Sequence, residues 1–219
     1  MPEIRRAADR FRTEADGVDT WHSFSYGAHY DADNVGFGPI VAINTERIEA
    51  GRGYDLHHHA DVEIVTWIVE GALQHEDGTG HGGVILPGAA QRLSAGTGVQ
   101  HSEQNASFDQ PVVFIQMMLA SDHDAEPEYA QVEVDPQCGV LTPTVKVHAP
   151  AELFVARLDA EESVHVPATS RSLVHVISGS LTLGDTVLAA GDEARLTDRG
   201  EYDLRASSAA IALIWQLQR

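Results

Sequence analysis

Short runs of apolar residues, broken by glycine-rich turns, recur along most of the chain. Val62–Glu70 is rich in β-branched and aromatic residues and stops at Gly71, which predicts a strand. Gly82–Gly88 predicts a shorter strand that ends in a Pro-Gly turn, and Pro111–Leu119 predicts another apolar strand. Many short strands separated by turns are typical of a β-sandwich or barrel.

The strand pattern returns after a polar, acidic segment, Ser121–Glu128, which has the composition of a linker or a surface crossing. Five further strands are predicted beyond it, namely Leu153–Leu158, Val164–Val166, Leu173–Ile177, Ser180–Leu183 and Ala209–Trp215. Helix signals are weak, and Ile4–Phe11 is compatible with either a helical turn or a strand. We therefore predict two all-β domains, residues 1–125 and 126–219.

A short internal repeat supports this division. Trp67–Leu73 aligns with His175–Leu181 at an offset of 108 residues, with Gly71 on Gly179. A duplicated β unit explains both the length and the pattern of the chain. The predicted fold is two β-barrel, jelly-roll-like domains packed together.

Charge and composition exclude several classes of partner. The formal net charge is −19 and Lys146 is the single lysine, so the surface repels phosphate backbones and we expect no nucleic acid. No apolar run approaches the roughly 20 residues that span a bilayer, and the N-terminus shows no secretory pattern, so we expect no membrane. The lone cysteine, Cys138, suits a reducing cytoplasm, and we expect an unreactive thiol.

Histidines are the first sign of chemistry, since six of the 12 fall between His57 and His101. His57 and His59 share one face of a strand, about 6–7 Å apart, and His101 and Glu103 repeat that relation. Two adjacent strands that present such pairs inward would supply three nitrogens and one oxygen to a first-row transition metal. A solvated run of histidines is the alternative, but two pairs flanked by glycine turns favour the metal site.

Two motifs resemble those of the cupin superfamily. They are Gly51-x5-His57-x-His59 with Gly71 after it, and Gly98-x2-His101-x3-Asn105. The first cupin motif usually places a glutamate five residues after its second histidine, where this chain has Ile64, which cannot bind a metal. Glu103 is the natural substitute.

That substitution is typical of the pirin family, which the chain resembles closely over its N-terminal half and loosely beyond it. The likeness rests on Trp21–Ser25, Gly71–Asp77 and above all Ala95–Glu103, and is greatest to bacterial pirin-like proteins with quercetinase activity. The resemblance implies a bicupin with one divalent transition metal per chain, most often iron, with nickel, copper, manganese, cobalt or zinc as alternatives. It assigns the metal to His57, His59, His101 and Glu103.

Several positions depart from that pattern. The family commonly has proline where this chain has His58, and strand alternation turns His58 away from its neighbours, so we expect a non-ligand. In the second half, His165 and Pro167 align with the first two ligands and no histidine follows His175, which predicts a degenerate cupin domain without metal. His75 lies at a predicted hairpin end, where we expect its side chain to be exposed to solvent.

The resemblance also implies an activity, a flavonol 2,4-dioxygenase that cleaves substrates such as quercetin with O₂ and releases carbon monoxide. Glu103 would be catalytic as well as a ligand, because it could take the proton of the flavonol 3-hydroxyl. From strand parity we predict that four apolar side chains hold the aromatic rings, namely Phe37, Val65, Phe114 and Met117.

Two other functions fit the same residues. Pirin-like proteins also include a non-enzymatic, redox-sensing binder of transcription regulators, and a net charge of −19 suits a basic protein partner. The third possibility is a metalloenzyme acting on another small phenol or enol, because one fold hosts many chemistries. Turnover with O₂ separates the enzymes from the regulator.

Overall fold

The computed structural model describes residues 2–122, 124–197 and 200–218. These residues form antiparallel β-strands, with a single 3₁₀ turn at Ala7–Asp9. The strands are β1 Glu3–Arg5, β2 Phe11–Ala15, β3 Val18–His22, β4 Ile40–Ile48, β5 Gly53–His59, β6 Val62–Glu70, β7 Leu73–Asp77, β8 Gly82–Ile85, β9 Ala89–Ser94, β10 Val99–Asn105, β11 Val112–Ala120, β12 Glu128–Glu133, β13 Leu141–Pro143, β14 Ala151–Leu158, β15 Ser163–Val166, β16 Arg171–Ser178, β17 Ser180–Leu183, β18 Thr186–Ala189, β19 Glu193–Leu196, β20 Tyr202–Ala206 and β21 Ala210–Leu217. Within the described residues, no helix has the length and apolarity to cross a membrane.

Contacts divide the chain into two compact domains. The N-terminal domain contains Phe11–Glu133 and Val147–Ala149, and the C-terminal domain contains Met1–Arg10, Val134–Lys146 and Pro150–Arg219. The change of domain therefore comes at residues 133 and 134, later than the predicted 125 and 126.

Long-range strand pairing explains that difference. The acidic segment before β12 forms no strand in its described residues, and His123 lies outside them. Strand β12 nevertheless pairs with β9, with Glu128 opposite Ser94, and so extends a sheet of the N-terminal domain. Strand β1 pairs with β19, with Glu3 opposite Arg195, although it begins the chain. Neither pairing leaves a local signal in the sequence, because each depends on a partner far along the chain.

The N-terminal domain consists of two antiparallel sheets with an apolar core between them. The larger sheet has the order β12-β9-β6-β11-β4-β3-β2, and the smaller has the order β5-β10-β7-β8. Ile68 and Phe114 of the larger sheet pack with Leu73 and Ile85 of the smaller, and all four are at most 1% exposed. Each such buried side chain stabilises the fold by about 1.5–3 kcal/mol.

The C-terminal domain repeats this arrangement. Its sheets have the orders β1-β19-β16-β21-β14-β13 and β15-β20-β17-β18. The run β19-β16-β21-β14 corresponds to β9-β6-β11-β4, and β15-β20-β17-β18 corresponds to β5-β10-β7-β8. Its hydrophobic core includes Val174, Leu181, Leu204 and Ile214, each at most 1% exposed.

The aligned glycines of the repeat adopt the same conformation for the same reason. Gly71 has φ +80° and Gly179 has φ +72°. A Cβ atom at Gly71 would lie 2.6 Å from the carbonyl oxygen of Pro111, and one at Gly179 would lie 2.0 Å from that of Ala209. Only glycine tolerates both the left-handed backbone and the close approach, which supports the predicted duplication.

Candidate metal centre

Strands β5 and β10 lie side by side in the smaller sheet and bring the predicted histidines together. His101 stands directly opposite His57 in the antiparallel register. The ring centroid of His101 lies 4.3 Å from that of His57 and 5.1 Å from that of His59. One ring nitrogen from each of these three residues lies within 4.8 Å of the other two. This is the convergence that the spacing of the histidines predicts.

His101 is the most deeply buried of the three, at 1% exposed. Within the described structure neither of its ring nitrogens has a hydrogen-bond partner. Burial, together with His57, His59 and His75, lowers the pKa of His101 to about 3, so the ring is neutral near pH 7. Buried polar groups are normally paired, and a metal ion would provide the missing partner for a neutral imidazole lone pair.

The other two histidines also offer lone pairs. Nδ1 of His57 lies 2.8 Å from the carbonyl oxygen of Asp55; since a carbonyl can only accept, Nδ1 donates and Nε2 keeps its lone pair. Burial, then the charges of His57 and His58, lowers the pKa of His59 to about 4. His58 is exposed, and its ring lies against Gly98, outside the converging group. The donor set therefore fits a divalent transition metal.

Glu103 lies next to this group rather than within it. A carboxylate oxygen of Glu103 lies within 4.8 Å of ring nitrogens of His101 and His75. The side-chain amide of Gln116 donates to both carboxylate oxygens, at 3.0 and 2.9 Å. Burial raises the pKa of Glu103 to about 7, with Gln116 opposing the rise and the charge of Glu46 adding to it. A carboxylate with that pKa can both take and release a proton near neutrality.

A β-bulge in β5 shapes the site. His57 pairs with His101, and the next register pair joins Tyr54 to Glu103. Between these two pairs, two residues of β5 lie opposite a single residue of β10. The extra residue turns Tyr54 and His57 onto one face, although plain alternation would separate them. Gly53 permits the close approach of the strands, because a Cβ there would lie 2.2 Å from the carbonyl oxygen of Glu103.

A cavity of about 310 Å³ opens beside the histidines. Its wall includes His57, His59 and Glu103, and exposed residues such as Thr13 and Gly27 line its outer part. The other polar side chains of the wall include Thr20, His22, Glu46, Tyr54 and Gln116, and Tyr26 and Met118 add aromatic and apolar surface. The arrangement places a ligand-sized space, lined by both apolar and polar surface, directly against the candidate ligands.

The four apolar residues predicted to hold a substrate do not line this cavity. Val65 and Met117 are opposite each other in the register and face away from Gln116, because neighbouring residues of a strand alternate between faces. Phe114 shares the face of Gln116 but is packed in the apolar core. Phe37, in the loop before β4, pairs with Ile40, the first residue of that strand. Strand alternation predicted that Met117 would contact the substrate, but the methionine that lines the cavity is Met118.

His75 is buried instead of exposed, contrary to its predicted place at a hairpin end. Its side chain is 0% exposed, and its ring centroid lies 5.3 Å from that of His101. Gln91 Nε2 donates to Nδ1 at 3.2 Å, and Nε2 donates to Asp77 at 3.2 Å. Strand β7 runs on to residue 77, so positions 73, 75 and 77 alternate inward. This alternation in the sequence is the signal from which the burial of His75 could have been predicted.

Glu46 is a second buried carboxyl group that sequence reasoning missed. It is 2% exposed and lines the cavity. Thr20 Oγ1 donates to its Oε2 at 2.5 Å, and the Tyr54 hydroxyl donates to the same oxygen at 2.7 Å. The signal was present in the chain, because Asn44 and Glu46 are polar residues on a face of β4 whose other members, Ile40, Ala42 and Ile48, are apolar.

The equivalent strands of the C-terminal domain carry different side chains. In the described residues of β15 and β20, Val164, Val166 and Leu204 point into the core, while His165 is exposed and pairs with Asp203. A separate, partly exposed group of Cys138, Asp159 and Glu162 lies in this domain. There the hydrogen bond to Glu162 raises the pKa of the Cys138 thiol, which makes the thiolate scarcer.

Comparisons with known proteins agree with this architecture. Residues 4–119 match the family model described as Pirin, and residues 142–217 match the one described as Quercetinase C-terminal cupin domain. The predicted all-β bicupin fold is thereby confirmed.

Individual relatives extend the likeness to almost the whole chain. The Escherichia coli (strain K12) protein named quercetin 2,3-dioxygenase is 32% identical over 99% of both chains. A Mycobacterium tuberculosis protein, whose name assigns that activity provisionally, is 41% identical over 98% of this chain and 94% of its own. The crystal structure of YhhW from E. coli is 28% identical over 99% of this chain and 97% of its own, with a TM-score of 0.95. The structure of bacterial pirin YhhW in complex with nickel(II) is 29% identical over 100% and 99% of the two chains, with a TM-score of 0.92.

Proposed function

This chain belongs to the pirin family, and from that premise we propose that it is a metal-dependent dioxygenase that cleaves flavonols such as quercetin. The observation that carries the proposal is the convergence of His57, His59 and His101 beside the buried carboxyl group of Glu103, at a cavity that His57, His59 and Glu103 line. A relative that matches over its full length bears the name quercetin 2,3-dioxygenase. We also propose a cytoplasmic location, for which the composition is the support.

The proposed cofactor is one divalent transition ion per chain, held by His57, His59, His101 and Glu103. The unpaired, buried nitrogens of His101 support this assignment. Iron is the expected metal, and the nickel(II) bound by E. coli YhhW supports nickel as an alternative, with copper, manganese, cobalt or zinc also suited to such ligands. When bound, such an ion supplies Lewis acidity towards a phenolic oxygen and, if redox-active, an electron-transfer centre for O₂.

Glu103 is the proposed base. The carboxylate can accept the proton of the flavonol 3-hydroxyl as the substrate enters and return it to the product, and the pKa of about 7 in the metal-free site supports that role. The two hydrogen bonds from Gln116 hold the carboxylate in one orientation, so the acceptor oxygen is already positioned before substrate arrives.

The proposed reaction opens the central ring of the flavonol at the C2–C3 and C3–C4 bonds. Both atoms of O₂ enter the product, a phenolic ester carrying a carboxylic acid, and C3 leaves as carbon monoxide. O₂ is the oxidant, so no further reductant is required. Carbon monoxide release distinguishes this 2,4-cleavage from a 2,3-cleavage that retains C3.

The cavity suits a small aromatic substrate. Its volume of about 310 Å³ is at the lower end of the range for ligand pockets, about 300–1,000 Å³. Tyr26 and Met118 provide aromatic and apolar surface, while the opposing polar groups provide acceptors for hydroxyl hydrogens. We propose that Tyr26 and Met118 contact the aromatic rings of the substrate.

The deciding experiment measures O₂ uptake, loss of flavonol absorbance and carbon monoxide release with protein of known metal content. Turnover should scale with bound metal, and His101→Ala should lose both metal and turnover. His58→Ala is the matched control, because His58 is a neighbouring histidine outside the converging group, and it should keep both.

Absence of turnover in the fully metallated wild type would exclude flavonol cleavage. The function would then be either a metalloenzyme acting on another phenol or enol, or a redox-sensing regulator whose net charge of −19 suits a basic partner.

A further inference from the structure

The cavity contains two buried carboxyl groups, and the proposed reaction uses only one. Glu103 stands beside the histidines, and Glu46 lies on β4, opposite Thr20 of β3 in the register. Both line the same cavity. Both carboxyl groups also influence Tyr26, at the cavity rim. Burial is the largest cause that raises the pKa of the Tyr26 hydroxyl, and the charges of Glu46 and Glu103 raise it further.

Glu46 already binds two hydroxyl groups, and one of them is a phenol like those of a polyphenol. Its Oε2 accepts hydrogen bonds from the aliphatic hydroxyl of Thr20 at 2.5 Å and from the phenol of Tyr54 at 2.7 Å. A carboxylate accepts up to about four hydrogen bonds, and Glu46 lines the cavity, so a ligand hydroxyl in the cavity can reach it. The 2% exposure of Glu46 excludes most water, which strengthens any hydrogen bond made there.

We propose that Glu46, positioned by Thr20 and Tyr54, forms a second hydroxyl-binding subsite that selects substrates with a phenolic hydroxyl in addition to the one received by Glu103. This inference rests on the proposed function, because it assumes that a flavonol-like molecule occupies the cavity. It narrows the substrate class to polyhydroxylated flavonols. Glu46 is a specificity-determining residue in this scheme, since no bond to it forms or breaks in the reaction.

The test compares ligands that differ only in their added hydroxyls. The series begins with 3-hydroxyflavone and adds the ring hydroxyls of galangin, kaempferol and quercetin in turn. Dissociation constants come from fluorescence titration of metallated protein, and kcat/KM comes from O₂ uptake. Wild-type protein should prefer at least one polyhydroxylated flavonol over 3-hydroxyflavone by about tenfold to a hundredfold, as expected for one hydrogen bond to a charged acceptor.

Glu46→Gln should reduce that preference to about threefold or less. Glu63→Gln is the matched control, because Glu63 is also a fully buried carboxyl group of this domain but lies off the cavity. It should keep the full preference. If Glu46→Gln does not fold, Glu46→Asp, which keeps the charge but retracts the carboxyl group by one methylene, should show the same loss.

The outcomes separate this inference from the proposed function. Wild-type protein that cleaves flavonols without regard to added hydroxyls, or a Glu46 variant that keeps the full preference, would overturn the subsite and leave the dioxygenase standing. Wild-type protein that binds polyhydroxylated flavonols preferentially through Glu46 but turns none over would overturn the dioxygenase and support the subsite. Protein that binds no member of the series would overturn both.

Discussion

The imidazole of His57 donates its Nδ1 hydrogen to the backbone carbonyl of Asp55, 2.8 Å away and two residues earlier on the same strand. Asp55 belongs to the bulge that separates the register pairs of Tyr54 and His57. One irregularity in β5 thus brings Tyr54 onto the face of His57 and also supplies the carbonyl that fixes the tautomer of His57, which leaves the Nε2 lone pair for a metal.

Deleting Leu56 tests the bulge. The Leu56 side chain is 64% exposed, so its loss removes little packing. The deletion restores plain alternation, which places Tyr54 and His57 on opposite faces of the strand. Metal affinity, measured by competition with a chromophoric chelator, should fall by about tenfold to a hundredfold, the range typical of losing an outer-shell partner, because the deletion displaces the Asp55 carbonyl that orients His57. Leu56→Ala keeps the residue count and should bind like wild type; equal affinity in the deletion variant would contradict the role of the bulge.

The amide of Gln116 should set the pH at which Glu103 ionises in the metal-free protein. Gln116 opposes the rise in the pKa of Glu103 that burial causes. Gln116→Met keeps the side-chain length but removes both hydrogen bonds, so the carboxylate should form only at higher pH. We expect the pKa of Glu103, measured by infrared difference titration of chelator-treated protein against Glu103→Gln, to move up by about 1–2 pH units. Gln131→Met, at an exposed position, is the control, and an unmoved pKa would show that the two hydrogen bonds do not hold it down.

Metal-free protein should become less stable as the pH rises, because of Glu103. The ordinary pKa is 4.5 and the folded value is about 7, so between these values the folded state binds more protons and stability falls with rising pH. Glu103→Gln should therefore stabilise the metal-free protein by about 2–4 kcal/mol at pH 8 and change little at pH 4. Urea unfolding of chelator-treated proteins at both pH values measures the difference, and a gain that is equal at both would refute this account.

Asp192 should stabilise the C-terminal domain at neutral pH. Its carboxylate accepts the backbone N–H of Ala7 at 2.8 Å and the Arg6 guanidinium at 2.7 Å. Burial raises the pKa of Asp192, but these bonds and the Ala189 N–H outweigh it, so the pKa lies below its ordinary value. A lowered pKa adds stability above about pH 4 that is lost as the pH falls further.

Asp192→Asn should accordingly cost about 1–3 kcal/mol at pH 7 and progressively less below about pH 4. Thermal unfolding across that pH range is the measurement. Asp185→Asn, at an exposed turn position of the same domain, is the control and should cost little at any pH. A cost for Asp192→Asn that does not change with pH would show that its carboxylate charge is not the source of the stability.

Features that depend on one stretch of chain could be predicted from the sequence. The strand Val62–Glu70 has the predicted bounds, and alternation alone pairs His57 with His59 and His101 with Glu103 on shared faces. The all-β class and the duplication follow from turn spacing and from the aligned glycines. These properties are local, because side-chain period and backbone conformation are set by neighbouring residues.

Only the tertiary structure decided which strands pair and which of their faces is enclosed. Pairing with β10 introduced the bulge that brings Tyr54 to the cavity, and the register of β11 placed Met118 rather than Met117 there. Burial of His75 and the pairing of β1 and β12 likewise depended on distant strands. The physical reason is that the sequence of a strand determines which of its side chains share a face. The register depends on the partner strand, and the sheet that packs against the strand determines which face is buried.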